Sequence, residues 1–249
     1  MFGWLKRKFT GSTEGSAAEK HGDIMLGERD CHSHIIPGID DGSRTMAESL
    51  KMLALLHAEG VRTLAATSHM FPSRFDNQPD DLQRGFEALE RARDDAGIEL
   101  TLQLGAEHYL DEDFVARIKA GCIVPFGPES YVLFETTTGA HAPSNLLDAV
   151  HEIRDRGMVP LVAHIERYQY LRDEEGHEMV EDLRSAGAQF QVNRTVGKAN
   201  RPGLGGRGRM IAWLQARDWI DEVGSDLHRP TREGRPYAGD ELLLAQRSG

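Results

Sequence analysis

Asp30-Cys31-His32-Ser33-His34 opens a series of polar residues that each follow a short apolar run. Thr67-Ser68-His69 comes next, then Gly105-Ala106-Glu107, Phe134-Glu135, Ala163-His164-Ile165-Glu166-Arg167, Val192-Asn193 and Gly224-Ser225-Asp226-Leu227-His228. On an extended strand, side chains alternate with period two, so His32 and His34 share one face. Asp30 falls on that face too, and Cys31 on the other. Asp226 and His228 repeat the spacing. Imidazole and carboxylate donors together suit zinc, manganese or iron at multinuclear sites. A carboxylate such as Glu107 can bridge two ions about 3.5–4 Å apart, a geometry that stabilises both the attacking and the leaving oxygen in phosphoryl transfer. A single His-x-His pair is as often a satisfied structural pair as a ligand pair, and a single buried Glu is often an ion-pair partner. The recurrence of such groups at successive strand ends carries the reading. Glu166, Asp30 and Asp40 read as groups supporting the ligands. His108, His141, His151 and His177 fall off the pattern and read as ordinary solvated histidines.

The elements that must position these groups alternate along the chain. Strands are expected at 28–34, 62–67, 100–106, 131–135, 159–164, 189–192 and 220–225. Helices are expected at 44–58, 80–96, 111–120, 144–156, 175–186 and 207–218. In the first helix Met46, Leu50, Leu53 and Leu56 share a face, and Glu59-Gly60 ends it. About seven βα units imply an α/β parallel sheet or barrel. In such barrels the C-terminal strand ends form the active site, which would bring all the polar groups to one rim. One domain is expected over 23–249. Residues 1–22 read as a flexible basic tail, although Phe2, Leu5 and Phe9 with Lys6, Arg7 and Lys8 would also suit a short helix touching a membrane surface. The Gly- and Arg-rich stretch 197–208 reads as a mobile loop.

Bulk properties narrow the class. The 249 residues suit one large domain, and 39% apolar content supports one core. A net charge of −11 argues against nucleic acid as a partner. An anionic substrate would then need local cations, whether metal ions or a few arginines. Cys31 and Cys122 are expected as buried small hydrophobes, with no disulfide framework. Neither fits a Cys-x5-Arg nucleophile, since Pro37 and Pro128 stand where the arginine would be. No apolar run of membrane-spanning length occurs, and the N-terminus lacks the apolar centre of a secretory signal, so a cytoplasmic location is expected.

The blocks resemble a known family. Asp30 through Ser43 (DCHSHIIPGIDDGS), followed by a helix with Glu48-Ser49-Leu50, resembles the opening of the polymerase-and-histidinol-phosphatase (PHP) superfamily. It is most similar to the bacterial capsule-type protein-tyrosine phosphatases (CpsB/YwqE type). Later blocks agree in order and spacing: Gly60-Val61-Arg62 with Thr67-Ser68-His69, Gly105-Ala106-Glu107, Leu133-Phe134-Glu135, His164-Ile165-Glu166-Arg167-Tyr168, Gln191-Val192-Asn193, Ser225-Asp226-Leu227-His228 and Gly234-Arg235-Pro236. The match covers about 28–237.

The resemblance implies a distorted (β/α)7 TIM-like barrel holding three divalent ions, manganese first, with iron or zinc as alternatives. It places His32, His34, Glu107 and Asp226 on one ion, Glu107, Glu135 and His164 on the second, and Asp41, His69 and His228 on the third. It implies hydrolysis of phosphotyrosine, above all on a bacterial tyrosine kinase regulating capsular or exopolysaccharide synthesis. A metal-bound water with a pKa lowered toward 7 would attack phosphorus in line. Arg167 and Arg235 would clamp the phosphate. Membrane contact is expected only indirectly or through the tail. The competing readings are a PHP phosphatase for a small phosphomonoester and a non-catalytic regulatory PHP domain. The Asp40-Asp41-Gly42 form favours the tyrosine phosphatase, and the full ligand set argues against a non-catalytic module.

Overall fold

The computed structural model describes residues 24–195, 205–230 and the backbone of 236–238. The expected tail over 1–22, Arg235 and residues 197–204 of the expected loop lie outside the described residues.

The chain alternates strand and helix as β1 (Arg29–Asp30), α1 (Met46–Ala58), β2 (Thr63–Ala66), β3 (His69–Met70), α2 (Pro79–Asp95), β4 (Thr101–Leu104), β5 (Glu107–Tyr109), α3 (Phe114–Ala120), β6 (Tyr131–Glu135), α4 (Leu146–Asp155), β7 (Val159–Val162), α5 (Glu174–Ser185), β8 (Gln189–Asn193), α6 (Gly205–Gln215), β9 (Glu222–Gly224), β10 (Leu227–Pro230) and β11 (Pro236–Ala238). Parallel pairing runs β1-β2-β4 in one sheet and β3-β5-β6-β7-β8-β9 in another. Among the described strands, β10 and β11 pair antiparallel.

The two parallel sheets are one curled surface with a break. β2 and β3 are separated only by Thr67-Ser68, and β4 and β5 only by Gly105-Ala106. At the break the Ala106 N–H donates to Val124 O instead of to a neighbouring strand, and the Glu107 N–H reaches both Thr67 O and Ser68 O. Gly105 makes this possible, because a Cβ there would sit 2.8 Å from the Phe126 ring. The two strands expected at 62–67 and 100–106 are therefore each interrupted. The far edges meet as well. Cys31 N–H donates to Val223 O, Ser33 bridges Leu227 in parallel, and Asp226 N–H donates to His32 O. Gly224 permits that approach, since a Cβ there would lie 2.5 Å from His32 Cβ. The architecture is the distorted seven-stranded βα barrel that the resemblance implied.

Strands buried on both faces read as unbroken apolar runs, as Tyr131–Phe134 does. The helices cover the outside with one apolar stripe each. On α2, Pro79 opens the helix and the Asp81 carboxylate accepts the Gln78 N–H, while Leu82, Phe86 and Leu89 face inward. On α1, the Thr45 hydroxyl accepts the Glu48 N–H, and Met52, Leu53 and Leu56 are buried. The core divides accordingly. Leu53, Leu64, Leu82 and Leu102 belong to one cluster under α1 and α2, and Phe114, Phe134, Val150 and Phe190 to another under the later helices.

Three expectations need correction. Residues 205–208 belong to α6 and not to a loop. Cys31 is buried as expected, but Cys122 is exposed, because it follows the left-handed Gly121 at the open end of α3. His108 is fully buried and not solvated. Its Nδ1 lies 2.9 Å from Leu133 O and its Nε2 accepts the Val124 N–H at 3.1 Å, so it is a neutral imidazole bridging β6 to the loop beyond α3. His141 and His151 are exposed, and His177 stacks on Trp213 at the surface.

A cluster of imidazoles and carboxylates at the barrel rim

The strand ends converge as the alternation requires. His32 Nε2 and His34 Nε2 lie 3.2 Å apart. Both are 3.2 Å from Glu107 Oε2, and they are 3.5 and 3.4 Å from Asp226 Oδ1. On one side of this centre His164 Nε2 is 2.9 Å from Glu107 Oε1 and 3.8 Å from Glu135 Oε2. On the other, Asp41 Oδ1 is 3.3 Å from His228 Nε2 and 3.6 Å from His69 Nε2. His69 also turns Nδ1 toward Glu107 Oε2 at 3.2 Å and Glu135 Oε1 at 3.6 Å. Among the described residues, four sets of donor atoms are close enough to hold an ion: His34, Asp41, His69 and His228; His32, His34 and Asp226; His32, Glu107 and His164; and His69, Glu107 and Glu135. These sets redistribute the groupings expected from the resemblance, since His32, His34 and His69, like Glu107, each stand in two of them.

A supporting layer aims these rings. Asp40 Oδ2 lies 2.9 Å from His34 Nδ1 and also accepts the His69 N–H, while its Oδ1 accepts the Gly42 N–H. The His34 Nδ1–H is thereby committed to Asp40, which leaves the Nε2 lone pair for the cluster. Gln191 does the same for His32, with Oε1 3.1 Å from Nδ1, and the same oxygen accepts the His164 N–H at 2.7 Å. Gln191 Nε2 donates to Asn193 Oδ1, and Asn193 Nδ2 donates to Asp226 Oδ2. Asp30 contributes no donor to the cluster. Its Oδ1 accepts the Ser225 and His32 N–H groups, so it fastens two ligand-bearing strand ends to each other. Glu166 Oε1 accepts the Asn193 N–H. Arg167 reaches the rim from the 3-10 turn Ile165–Arg167, with Nη1 3.1 Å from Asp226 Oδ2. Two residues at the rim, His164 and Asp226, hold positive φ values of 29° and 50°. Such backbone is uncommon outside glycine and concentrates at functional sites.

The electrostatics explain what this arrangement lacks. Four carboxylates meet with five imidazoles in a space mostly shut from water. Charges about 4 Å apart at an effective dielectric of about 20 repel by about 4 kcal/mol, so uncompensated carboxylates here are costly. Burial, then the charge of Glu107, pushes the Glu135 carboxyl up to about 8. Burial disfavours charge on His34, yet Asp40, Asp226 and Glu107 hold its pKa well above the usual imidazole value. Burial likewise opposes ionisation of Asp226 and Glu107, but the facing histidines, His32 foremost, hold both well below the carboxylate range. Burial, with His34 beside it, takes His69 down to about 4. The carboxylates thus draw protons onto His34 and Glu135, while His69 stays neutral and Arg167 adds a positive charge beside Asp226. The buried Asp41 Oδ1 and His69 Nδ1 make no hydrogen bond. Borderline nitrogen donors, hard carboxylate oxygens, a negative centre and polar atoms left unbonded fit divalent metal ions.

All nine residues expected as ligands, His32, His34, Asp41, His69, Glu107, Glu135, His164, Asp226 and His228, stand in this one cluster. Sequence reasoning missed Gln191 as a positioning group. Its signal was present, because period two puts Gln191 on the face of Asn193. It also missed the aromatic loop after His69.

Fold and rim define the class: a parallel βα barrel whose C-terminal strand ends carry a constellation of imidazoles and carboxylates that could hold metal. The chain belongs to the CpsB/CapC family of capsular polysaccharide synthesis, which matches residues 29–240. Among its relatives, the tyrosine-protein phosphatase CpsB of Streptococcus pneumoniae is 27% identical over 204 residues, 80% of this chain and 82% of that protein. The tyrosine-protein phosphatase CpsB of Streptococcus agalactiae serotype V is 28% identical over 164 residues, and that stretch spans 66% of each protein. In fold, the chain superposes with a TM-score of 0.73 on a structure from the pair YwqE of Bacillus subtilis and CpsB of Streptococcus pneumoniae, described as metal-dependent tyrosine phosphatases, at 23% identity and covering 88% of this chain and 86% of that one.

Proposed function

We propose that the protein is a metal-dependent protein-tyrosine phosphatase acting on a bacterial tyrosine kinase that regulates capsular or exopolysaccharide synthesis. The observation that carries the proposal is the convergence of His32, His34, Glu107 and Asp226, all buried, with donor atoms 3.2–3.5 Å apart. The names of the relatives support it. In this reading His32, His34, Glu107 and Asp226 hold one ion, Glu107, Glu135 and His164 a second, and Asp41, His69 and His228 a third. Manganese is the first candidate, with iron or zinc next. Bound there, such ions supply a nucleophilic water of lowered pKa and offset charge on the phosphoryl oxygens.

The chain's own groups do the rest. Asp40 and Gln191 fix the imidazole tautomers, so ring nitrogens face the reaction centre before substrate arrives. Asn193 and Arg167 hold Asp226 by the oxygen that faces away from His32. Arg167, one-fifth exposed and paired with Asp226 at 3.1 Å, is assigned to bind the phosphoryl oxygens. Arg235 is assigned the same task on the sequence motif alone. No cysteine is needed, since Cys31 is buried away from the rim and burial raises its thiol well above the usual range. A cytoplasmic location is part of this reading; among the described residues no helix is long and apolar enough to cross a membrane.

The test is hydrolysis of a phosphotyrosine peptide by metal-stripped protein, with Mn²⁺ restored and an excess of chelator as control. Activity that returns with Mn²⁺ and disappears with chelator is the expected result. Full activity in chelator, or none with Mn²⁺, Fe²⁺ or Zn²⁺, would contradict the proposal.

A further inference from the structure

The open edge of the cluster runs from Asp41 through His69 to Glu135, whose side chains are 35%, 9% and 14% exposed. The chain leaving His69 folds into a tight turn in which Phe71 and Phe75 bridge as antiparallel partners. Both rings are half-buried beside that edge. Phe75 stacks on the His69 imidazole, with centroids 5.3 Å apart and planes within 7°. Phe71 meets the other flank of His69 at 6.4 Å, nearly edge-on, and stacks on Tyr109 at 3.8 Å. Tyr109 sits opposite Glu135 in strand register, and Glu135 is among the charges that raise its phenol pKa after burial. Arg74, exposed at the turn, covers the Phe75 ring at 4.9 Å and donates to Asp41 Oδ2 at 3.2 Å. Apolar rings thus border an edge of the cluster that water reaches.

This placement has a chemical consequence. A phosphate seated on the cluster must project its ester group through the open edge. A short alkyl ester would pass these rings with little contact. A phenyl ring attached directly to the phosphate oxygen would lie against them and bury apolar area on both sides. We propose that Phe71, Phe75 and Tyr109 form an aryl subsite that selects aromatic over alkyl phosphoesters, with Arg74 anchoring the turn to Asp41. The inference rests on the phosphatase reading of the same site and adds the residues that choose the ester.

Phenylphosphonate and methylphosphonate test it, because they share the anionic head and differ only in the ring. Titration calorimetry on the Mn²⁺-loaded full chain reads binding without turnover. The wild type is expected to bind phenylphosphonate at least tenfold more tightly. The Phe71→Ala/Phe75→Ala double variant is expected to bring the two affinities within about threefold, and Phe71→Tyr/Phe75→Tyr to restore the preference. If the alanine variant melts early, Phe71→Leu/Phe75→Leu keeps the volume, and the same collapse of preference is expected. Equal binding of both phosphonates by the wild type, or a preference that survives loss of both rings, would overturn the subsite and leave the phosphatase reading intact. Binding of neither phosphonate by metal-loaded wild type would overturn both.

Discussion

His32 and Asp226 occupy the centre of the cluster, and each faces three other donor groups. Replacing either by alanine removes a donor and leaves the partners' charge unopposed. His32→Ala and Asp226→Ala are expected to lose activity on a phosphotyrosine peptide by at least about 100-fold while the far-ultraviolet circular dichroism stays native. A fully active double variant would contradict the ligand assignment. Gln191 makes a subtler prediction. It touches no proposed ion, yet its carbonyl oxygen holds both the His32 ring and the His164 backbone. Gln191→Leu is expected to weaken Mn²⁺ affinity about 10–100-fold, as read by equilibrium dialysis. The residues that converge at the rim were legible in the sequence, most of them because spacing on a strand fixes the face a side chain occupies, and Asp41 through the motif resemblance. Gln191 was not singled out, because an amide on a strand carries no chemical signature until its neighbours are known.

Elements were legible where periodicity was strong, and all six expected helices formed. The interruptions between β2 and β3 and between β4 and β5 were not, because they arise from tertiary contacts. Gly105 yields to Phe126, and Val124 captures a backbone donor from Ala106. His108 escaped for the same reason, since its two partners are backbone groups from β6 and from the loop beyond α3. Burial takes its pKa down to about 4, against about 6.5 in an unfolded chain. Between those values the unfolded chain binds a proton that the native imidazole refuses, so its contribution to stability falls as pH drops from about 6.5 toward 4. His108→Leu leaves the Val124 N–H unpaired and is expected to cost about 1–3 kcal/mol in urea unfolding at pH 7.5. The gap between wild type and variant should narrow as pH falls through that window. A gap independent of pH would contradict the neutral bridging role.

The whole molecule carries a net charge of −11 and concentrates negative potential inside one rim. An anionic substrate approaches such a protein only where cations reverse the local field. The same cations relieve repulsion among buried carboxylates, so they should also stabilise the fold. Chelator is expected to lower the melting temperature, and saturating Mn²⁺ to restore it. The barrel itself was legible from the order of βα units and from the motif resemblance.

The most direct test is the metal content of the purified chain, dialysed to equilibrium against Mn²⁺ and counted by mass spectrometry, beside the Asp226→Ala and His32→Ala variants. Three ions per chain in the wild type, with fewer in each variant, is the predicted result. A wild-type chain holding less than one ion, or variants that hold as many as the wild type, would contradict the assignment of the rim cluster as a metal centre.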